Sequence, residues 1–430
     1  MVDRLLYSRI ASDAPIDACE HRAALAAILD AQPRTPDAVL IVPPDITRAS
    51  AGAGPLTRAA VALLHERNPR CRIVILPALG THAPMTPRER ETLFGDLPAE
   101  LFAVHNWRTD LTHLGDVPAS FIHEVSQGQL EYPIKVEINA QLTHGNFDLI
   151  LSIGQVVPHE VAGMANGSKN ILVGVGGQDT INKTHFLGAV CNMERIMGRA
   201  QNPVRSVFDY AAAHFFGALP LAYVQTVMAV DAAGAVQMRG LFAGVGAAPF
   251  RAAAALSQSL NITTLDTPLR KVLVHLHPHE FKSTWLGNKA IYRTRMAMAD
   301  DGELIILAPG IETFGEDREI DRLIRRYGYR GTPATLDAVR AQAELRQNLS
   351  AAAHLIHGSS EGRFRITYAP GALSRQEIES VGFAFGDLAA LERTYQPATL
   401  RDGPNVVNGD EFFYISNPAL GLWARRSQFA

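Results

Sequence analysis

Ile153-Gly154-Gln155-Val156-Val157-Pro158-His159-Glu160-Val161-Ala162-Gly163-Met164-Ala165-Asn166-Gly167-Ser168-Lys169 is the stretch on which the reading of this chain turns. The run before it, residues 147–153, is mostly apolar and reads as a buried strand of the parallel type. At the end of that run the chain becomes polar and glycine-rich, and it stays so through Gly177 to Asn182-Lys183-Thr184-His185. Loops at the carboxyl ends of strands in open α/β sheets converge on a crevice, and ligands bind there. The glycines let the backbone approach a ligand or adopt positive φ. Two imidazoles and an amine, His159, Lys169 and His185, in one such segment point to chemistry. A single histidine at a strand end is more often a hydrogen-bonded structural residue.

Working outward, two earlier units repeat the pattern. Residues 38–42 form a short apolar strand ending in Pro43-Pro44-Asp45, and residues 55–66 have helical spacing. Residues 72–76 are the next strand, ending at Gly80-Thr81-His82, with a helix over 87–94. Arg48, His82 and His159 thus sit at carboxyl ends of three strands, as in an open sheet with its site at the switch point. Residues 102–136 read as irregular, with His105, His113 and His123 as surface or loop histidines. Helices are expected at 193–197, 207–216 and 249–260, a strand at 223–230, and an interdomain link at 261–268. Beyond it, strands at 271–276, 303–307 and 363–368 alternate with helices at 317–327 and 334–354. The expected fold class is α/β with two domains, residues 1–265 and 266–430, each a mixed or parallel sheet flanked by helices, with the active site in the interdomain cleft. His275, His277 and His279 alternate along an expected strand, a possible metal pair.

Composition narrows the function classes. The chain has 430 residues, 47% hydrophobic and 19% charged, with a formal net charge of −3. Near-neutral charge without a long basic run argues against nucleic acid or an anionic membrane as partner. Cys19, Cys71 and Cys191 are scattered, with no CxxC, which fits a reducing cytoplasm and excludes a cysteine-rich zinc site. Met1-Val2-Asp3-Arg4 lacks the apolar core of a signal peptide, and no run of about 18 apolar residues suggests a membrane span. The expectation is a soluble cytoplasmic protein. Gly174-Val175-Gly176-Gly177 is no dinucleotide fingerprint, and neither a Walker A sequence nor a G-x-S-x-G elbow occurs. Lys169 after Gly167-Ser168 could on its own be a phosphate-binding lysine.

In combination the motifs are more specific. Pro158-His159 with Gly163, Asn166-Gly167-Ser168-Lys169, Thr184-His185, Pro44-Asp45-Ile46-Thr47-Arg48 and Gly80-Thr81-His82-Ala83-Pro84-Met85-Thr86 together resemble the nickel-pincer lactate racemase family. The resemblance covers the N-terminal half and is weak beyond it. It implies a racemase or epimerase that inverts C2 of a 2-hydroxy acid by hydride transfer through a 2-keto acid. It implies nickel and a pyridinium-3,5-bisthiocarboxylic acid mononucleotide, the nickel-pincer nucleotide, attached covalently to Lys169. His185 would be the protein ligand to nickel, and His82 and His159 the paired acid/base groups. Arg48 would clamp the substrate carboxylate, while Asp45, Thr47, Gly163, Gly167 and Ser168 would hold the nucleotide.

The family's substrate-binding Gln-x-x-Lys is best matched by Leu286-Gly287-Asn288-Lys289 after Trp285. Lys289 and Trp285 are therefore candidate substrate contacts, and Leu286 stands where the family has Gln. Nearby His277, His279, Glu280, Lys282 and Asn288 could address further hydroxyls, which leans the substrate from lactate toward an aldonate. Cofactor-synthesis proteins are the implied partners, and a homo-oligomer is possible. Lactate racemase proper, a metal-dependent hydrolase or lyase ligating through His82, His159 and His185, and a non-catalytic carrier of the nickel nucleotide are the alternatives.

Overall fold

The computed structural model describes residues 3–11, 16–231 and 235–429. Met1 and Val2, part of the N-terminal stretch read above, lie outside the described residues. The chain divides into two compact units, Met1–Thr184 with Ile196–Asn261, and His185–Arg195 with Ile262–Ala430.

The first unit is built on six strands: β1 (Arg4–Ile10), β2 (Ala38–Val42), β3 (Arg72–Ile75), β4 (Leu149–Gln155), β5 (Leu221–Val230) and β6 (Val236–Val245). They lie in the order β1-β6-β5-β4-β2-β3. β3, β2, β4 and β5 are parallel neighbours, whereas β1 and β6 run antiparallel along the other edge. β2 is buried at all five positions. A strand covered on both faces has no use for alternation, so its sequence Ala-Val-Leu-Ile-Val is continuously apolar.

Helices cover both faces. α1 (Ala18–Asp30) and α2 (Ala53–Arg67) bury Leu25, Ile28, Leu56 and Leu63 against Val39, Ile41, Ile153 and Val224. On the opposite face Phe250, Ala253 and Ala254 of a later helix pack on Val227 and Phe242. Each fully buried Leu, Ile or Phe in these layers contributes about 1.5–3 kcal/mol. α1 opens with a capping box between Asp17 and Glu20. α3 (Pro87–Phe94) opens with one between Thr86 and Glu89, with Pro87 in its first turn. α4 (Gln178–Val190) begins in this unit, but from His185 onward it belongs to the second; α5 (Pro203–Phe215) and α6 (Ala248–Asn261) follow in the first.

The second unit also has a six-stranded sheet. Its strands are β7 (Leu269–His275), β8 (Met298–Ala308), β9 (Arg365–Pro370), β10 (Ala384–Phe385), β11 (Gly403–Val407) and β12 (Asp410–Ile415). The order is β10-β9-β8-β7-β12-β11, parallel except for the β11–β12 hairpin. Both units are therefore mixed α/β with a parallel core.

Several sequence expectations differ from the structure. Residues 102–136 are not wholly irregular, because Leu111–Val117 pairs antiparallel with Ile134–Asn139. His105 is not a surface residue. It is 2% exposed, with Nε2 bonded to the Gly176 carbonyl at 3.1 Å and Nδ1 accepting from Asn139 at 3.1 Å. The expected helix over 334–354 is three helices, α7 (Thr332–Ala341), α8 (Ala343–Gln347) and α9 (Leu349–His357). The breaks fall at Gln342, which is extended, and at Asn348, whose side chain caps α9 by accepting from Ala351 N–H. β7 ends at His275, so His277 and His279 lie in a loop instead of alternating along a strand. Among the described residues no three His, Cys, Asp or Glu side chains are grouped to hold a metal ion.

Candidate active site

Three strand ends on the first unit meet at one edge, and backbone bonds tie them together. The loop after β3 reaches the loop after β2 through Ala78 N–H to the Pro43 carbonyl, 2.8 Å. Gly80 N–H bonds the Gly174 carbonyl at 2.8 Å, joining the His82 loop to the segment that follows Lys169. Asn170 completes the staple. Its side-chain amide donates to Val42 O at the end of β2 (3.1 Å) and to Ser152 Oγ in β4 (2.9 Å). Residues Asn170–Gly174 form a single π-helical turn, a feature often found at functional sites. Lys169 is thus anchored by its immediate neighbour to two strand ends.

Asp45 is 4% exposed and occupies the cap position of the turn Ile46–Ala51, yet its side chain makes no capping bond. Its carboxylate accepts instead from Thr47 Oγ and pairs with His82 Nδ1 at 2.7 Å. Burial works to raise the Asp45 pKa, but the bonds from His82 and Thr47 and the charges of His82 and Arg48 outweigh it and hold the carboxyl below its ordinary value. An ionised Asp45 fixes the His82 proton on Nδ1 and leaves the Nε2 lone pair as a base, the orienting logic of catalytic carboxylate–histidine pairs. The His82 side chain is 57% exposed, so that lone pair can meet a ligand.

His159 is set differently. It is 8% exposed, and its Nδ1 accepts from Val161 N–H (3.1 Å) and Ala162 N–H (3.3 Å). With Nδ1 accepting, the proton of the neutral ring sits on Nε2, so as placed His159 presents an N–H donor.

The Lys169 side chain is half-buried. Burial first, then the Arg48 charge and less strongly that of Arg205, push its amine down to about 7, while Glu160 pulls the other way. A lysine amine becomes a nucleophile when desolvated beside other cations. Arg48 is exposed and stands in a non-helical conformation within its turn. Its charge acts on both Asp45 and Lys169, which brings the Asp45-to-Arg48 turn and the Lys169 loop into one field.

The backbone around Lys169 is held from below. Gly163 has φ +74°, and a Cβ there would lie 2.1 Å from the Arg199 carbonyl. Gly167 N–H is taken by Gln225 Oε1 at 3.1 Å and by Asn166 Oδ1 at 2.8 Å, so that amide is occupied within the chain. Arg205 on α5 donates to the Met164 and Asn166 carbonyls and to Ser168 Oγ. Gln225, Arg205, Glu160 and Asn170 were not singled out in the sequence. Glu160 stood in the decisive stretch and Asn170 directly after it, but Arg205 and Gln225 carry no local signal, since their partners lie 37 to 59 residues away.

The remaining candidates, His185, Trp285 and Lys289, belong to the second unit. His185 lies half-buried on α4. Trp285 is half-buried and stacks on His354 at 4.2 Å. Burial and then the neighbouring His357 push His354 down to about 3, so it is neutral. Lys289 Nζ sits 5.7 Å from the centre of the Phe281 ring. Asn288 is fully buried and its amide donates to His354 Nε2 at 3.3 Å, while its Oδ1 is buried without a partner among the described residues.

Residues 21–198 match the family described as the lactate racemase N-terminal domain. A lactate racemase from Thermoanaerobacterium thermosaccharolyticum is 29% identical over 154 residues, 35% of this chain and 33% of that protein. The match therefore spans about a third of the length of that curated relative. Among solved structures, a Thermotoga maritima protein superposes with a TM-score of 0.77 at 23% identity, covering 96% of this chain and 99% of that one. The lactate racemase apoprotein from T. thermosaccharolyticum gives 0.69 at 17% identity, covering 94% and 92%. These two likenesses establish the fold across nearly the whole chain. The motifs at Asp45, His82, His159, Lys169 and His185 all fall inside the segment, residues 21–198, that is similar to the lactate racemase N-terminal domain family.

Proposed function

We propose that the chain is a nickel-pincer-nucleotide-dependent racemase or epimerase inverting C2 of a 2-hydroxy acid, with a sugar acid favoured over lactate. The observation that carries this reading is the Asp45–His82 pair at 2.7 Å on the sheet edge that also bears Lys169. An oriented base beside an activated amine suits inversion through a keto acid, because the hydroxyl proton must leave as the C2 hydride leaves. The Cα–H of a hydroxy acid is too weakly acidic for proton abstraction to do the same work.

The residues present fit the nucleotide. An amine with a pKa of about 7 is about half uncharged at neutral pH, and the uncharged form is the one that can be acylated. Arg48 and Arg205 supply a positive field for a phosphate. Lys169 would hold the group covalently, His185 would ligate nickel through a neutral imidazole, and Ser168 and Thr47 would meet the nucleotide's polar groups. When bound, this cofactor supplies the hydride acceptor. The chain's own residues do the rest. Arg48 clamps the substrate carboxylate with its fork. His82 Nε2 takes the hydroxyl proton, and Asp45 stabilises the imidazolium that results. His159 offers Nε2–H from the other loop to the oxygen at C2.

The lean toward a sugar acid rests on Leu286 standing where the resemblance expects Gln, next to Lys289 and Trp285. A site built to bond extra hydroxyls rejects analogues that lack them, since its own polar groups go unpaired. The test is chiral chromatography on lactate, malate and C5–C6 aldonates with enzyme co-expressed with the cofactor-synthesis proteins. Inversion of an aldonate faster than lactate is expected. Lactate as best substrate overturns the sugar-acid lean, and no inversion of any hydroxy acid by loaded protein overturns the function.

A further inference from the structure

Leu111–Val117 and Ile134–Asn139 form a two-stranded ribbon on the first unit that joins no larger sheet. Such a ribbon is only marginally stable by itself, so its open edge needs a use. Successive residues of a strand turn their backbone groups to opposite edges. Here Lys135, Glu137 and Asn139 spend theirs on the segment between Lys169 and His185. Asn139 N–H donates to the Val175 carbonyl at 2.8 Å, and the Glu137 carbonyl accepts from Gly177 N–H at 3.1 Å. Lys135 N–H donates to Asp179 Oδ2 at 2.8 Å, and its carbonyl accepts from Thr180 Oγ1 at 2.5 Å. The chain just before the strand continues the clasp. The Pro133 carbonyl accepts from Lys183 Nζ at 2.7 Å, and the Tyr132 hydroxyl donates to the Lys183 carbonyl at 3.0 Å. The bonds therefore run from Val175 to Lys183, almost to His185 on the same helix, α4. His105 locks the middle of this clasp. The Asn139 amide nitrogen can only donate, so His105 Nδ1 accepts and its Nε2–H goes to the Gly176 carbonyl. Asn139 is 1% exposed, and its Oδ1 is taken by Gln141 N–H at 3.0 Å. A buried network paired in this way fixes one backbone arrangement. The ribbon is itself seated on α5, where the Phe215 ring lies 2.3 Å from the place a Cβ on Gly115 would occupy.

We infer that this ribbon is a positioning element for His185, and that His105 is the positioning residue through which it grips Gly176. The inference rests on the reading of His185 as the nickel ligand. His105 touches neither substrate nor cofactor; it acts through the backbone that leads to the imidazole. His185 follows the last clasped residue by about half a turn of α4, so a shift of the clasped segment is a shift of the ligand. Gly174-Val175-Gly176-Gly177 would otherwise be the most adaptable run between Lys169 and His185. With the start of α4 already bonded, ordering this run is not left as a cost to the binding step. The helix that seats the ribbon at Phe215 also holds the Lys169 loop through Arg205, so one element braces both ends of the segment. Groups that orient a metal ligand are worth about 10–100-fold in metal affinity, which sets the scale of the effect.

The test uses the full chain co-expressed with the cofactor-synthesis proteins and reads nickel release to a chelator beside the mass on Lys169. Hydrogen–deuterium exchange of residues 175–184 is followed in the same variants without cofactor. His105→Leu removes both imidazole bonds, whereas His105→Gln keeps a donor for Gly176 and an acceptor for Asn139. His105→Leu should release nickel about tenfold faster than wild type, with the Lys169 adduct unchanged and exchange of 175–184 raised by about the same factor. His105→Gln should restore both toward wild type. Tyr132→Phe loses only the bond to the Lys183 carbonyl at a half-buried position, and should shift both readouts the same way by about threefold. It carries the test if His105→Leu does not fold. His113→Ala, exposed on the same ribbon and paired only with Asp116, should match wild type. Adduct and nickel lost together in step with a lowered denaturation midpoint would make His105 merely structural and overturn the inference. Unchanged nickel release, or unchanged exchange of 175–184, in both His105→Leu and Tyr132→Phe would overturn it too. Wild type with neither adduct nor nickel sinks the nickel-nucleotide reading and the inference with it, whereas a loaded wild type beside indifferent variants sinks the inference alone.

Discussion

At the residue scale, His82 and Asp45 define each other. The buried carboxylate has given up its capping role to hold the imidazole at 2.7 Å. Asp45→Asn keeps the shape but can no longer fix the proton on Nδ1. We expect kcat for hydroxy-acid inversion to fall by about 10²-fold or more, the scale of a general-base contribution, with KM little changed. The sign of its effect on stability follows from the depressed Asp45 pKa. A carboxyl lowered in the fold contributes stability that is present above its unfolded value and lost as pH falls through the folded one. The stability gap between wild type and Asp45→Asn, from denaturant midpoints, should be full at pH 6 and close below about pH 4. A gap that widened in acid would contradict the pairing.

Lys169 gives a second test at this scale. With its amine pushed down to about 7, its rate of modification by an acylating reagent should rise through a midpoint near pH 7. A free lysine side-chain amine in a reference peptide should still be rising near pH 10. Peptide mass spectrometry after brief labelling resolves the two. A Lys169 profile matching the reference peptide would remove the case for an activated amine.

At the element scale the site depends on a turn that only certain residues can make. Gly163 sits at φ +74° with no room for a Cβ. Gly163→Ala should cost at least about 1–2 kcal/mol from the backbone conformation alone, with the clash against the Arg199 carbonyl added. A lowered denaturation midpoint together with loss of fast labelling at Lys169 is the expected result; unchanged stability would mean the turn differs from the one described.

Much of this element layer was legible in the sequence. β2 and β4 announced themselves as short apolar runs because they are covered on both faces, β3 was legible from Ile73 and Ile75 on its buried face, and their polar ends marked the site edge. β1 and β6 did not. β1 is an edge strand with mostly exposed positions, and β6 is interrupted by Gly240 and Gly244, which pack closely against neighbouring groups. The long helix expected over 334–354 failed at Gln342, which turns extended, and at Asn348, where a side-chain cap outcompeted continued apolar spacing. Within the site, His82, His159 and Lys169 were visible as motif residues. The roles of Asp45, Asn170 and Arg205 were not. Each depends on a partner far along the chain, such as the 128 residues between Asn170 and Val42, and no local pattern encodes that distance.

At the scale of the whole molecule, two mixed α/β units share one polypeptide, and the family match covers residues 21–198 alone. No helix among the described residues is long and apolar enough to cross a membrane. The account joins Lys169 as covalent anchor to His185 as metal ligand, and these are separable by chemistry. The most direct measurement is tryptic mass spectrometry with nickel analysis on the chain co-expressed with the cofactor-synthesis proteins, beside Lys169→Ala and His185→Ala. The account predicts added mass on the peptide containing Lys169 in the wild type and in His185→Ala, with nickel reduced in the latter, and neither adduct nor nickel in Lys169→Ala. An unmodified Lys169 in protein that inverts a hydroxy acid would contradict it.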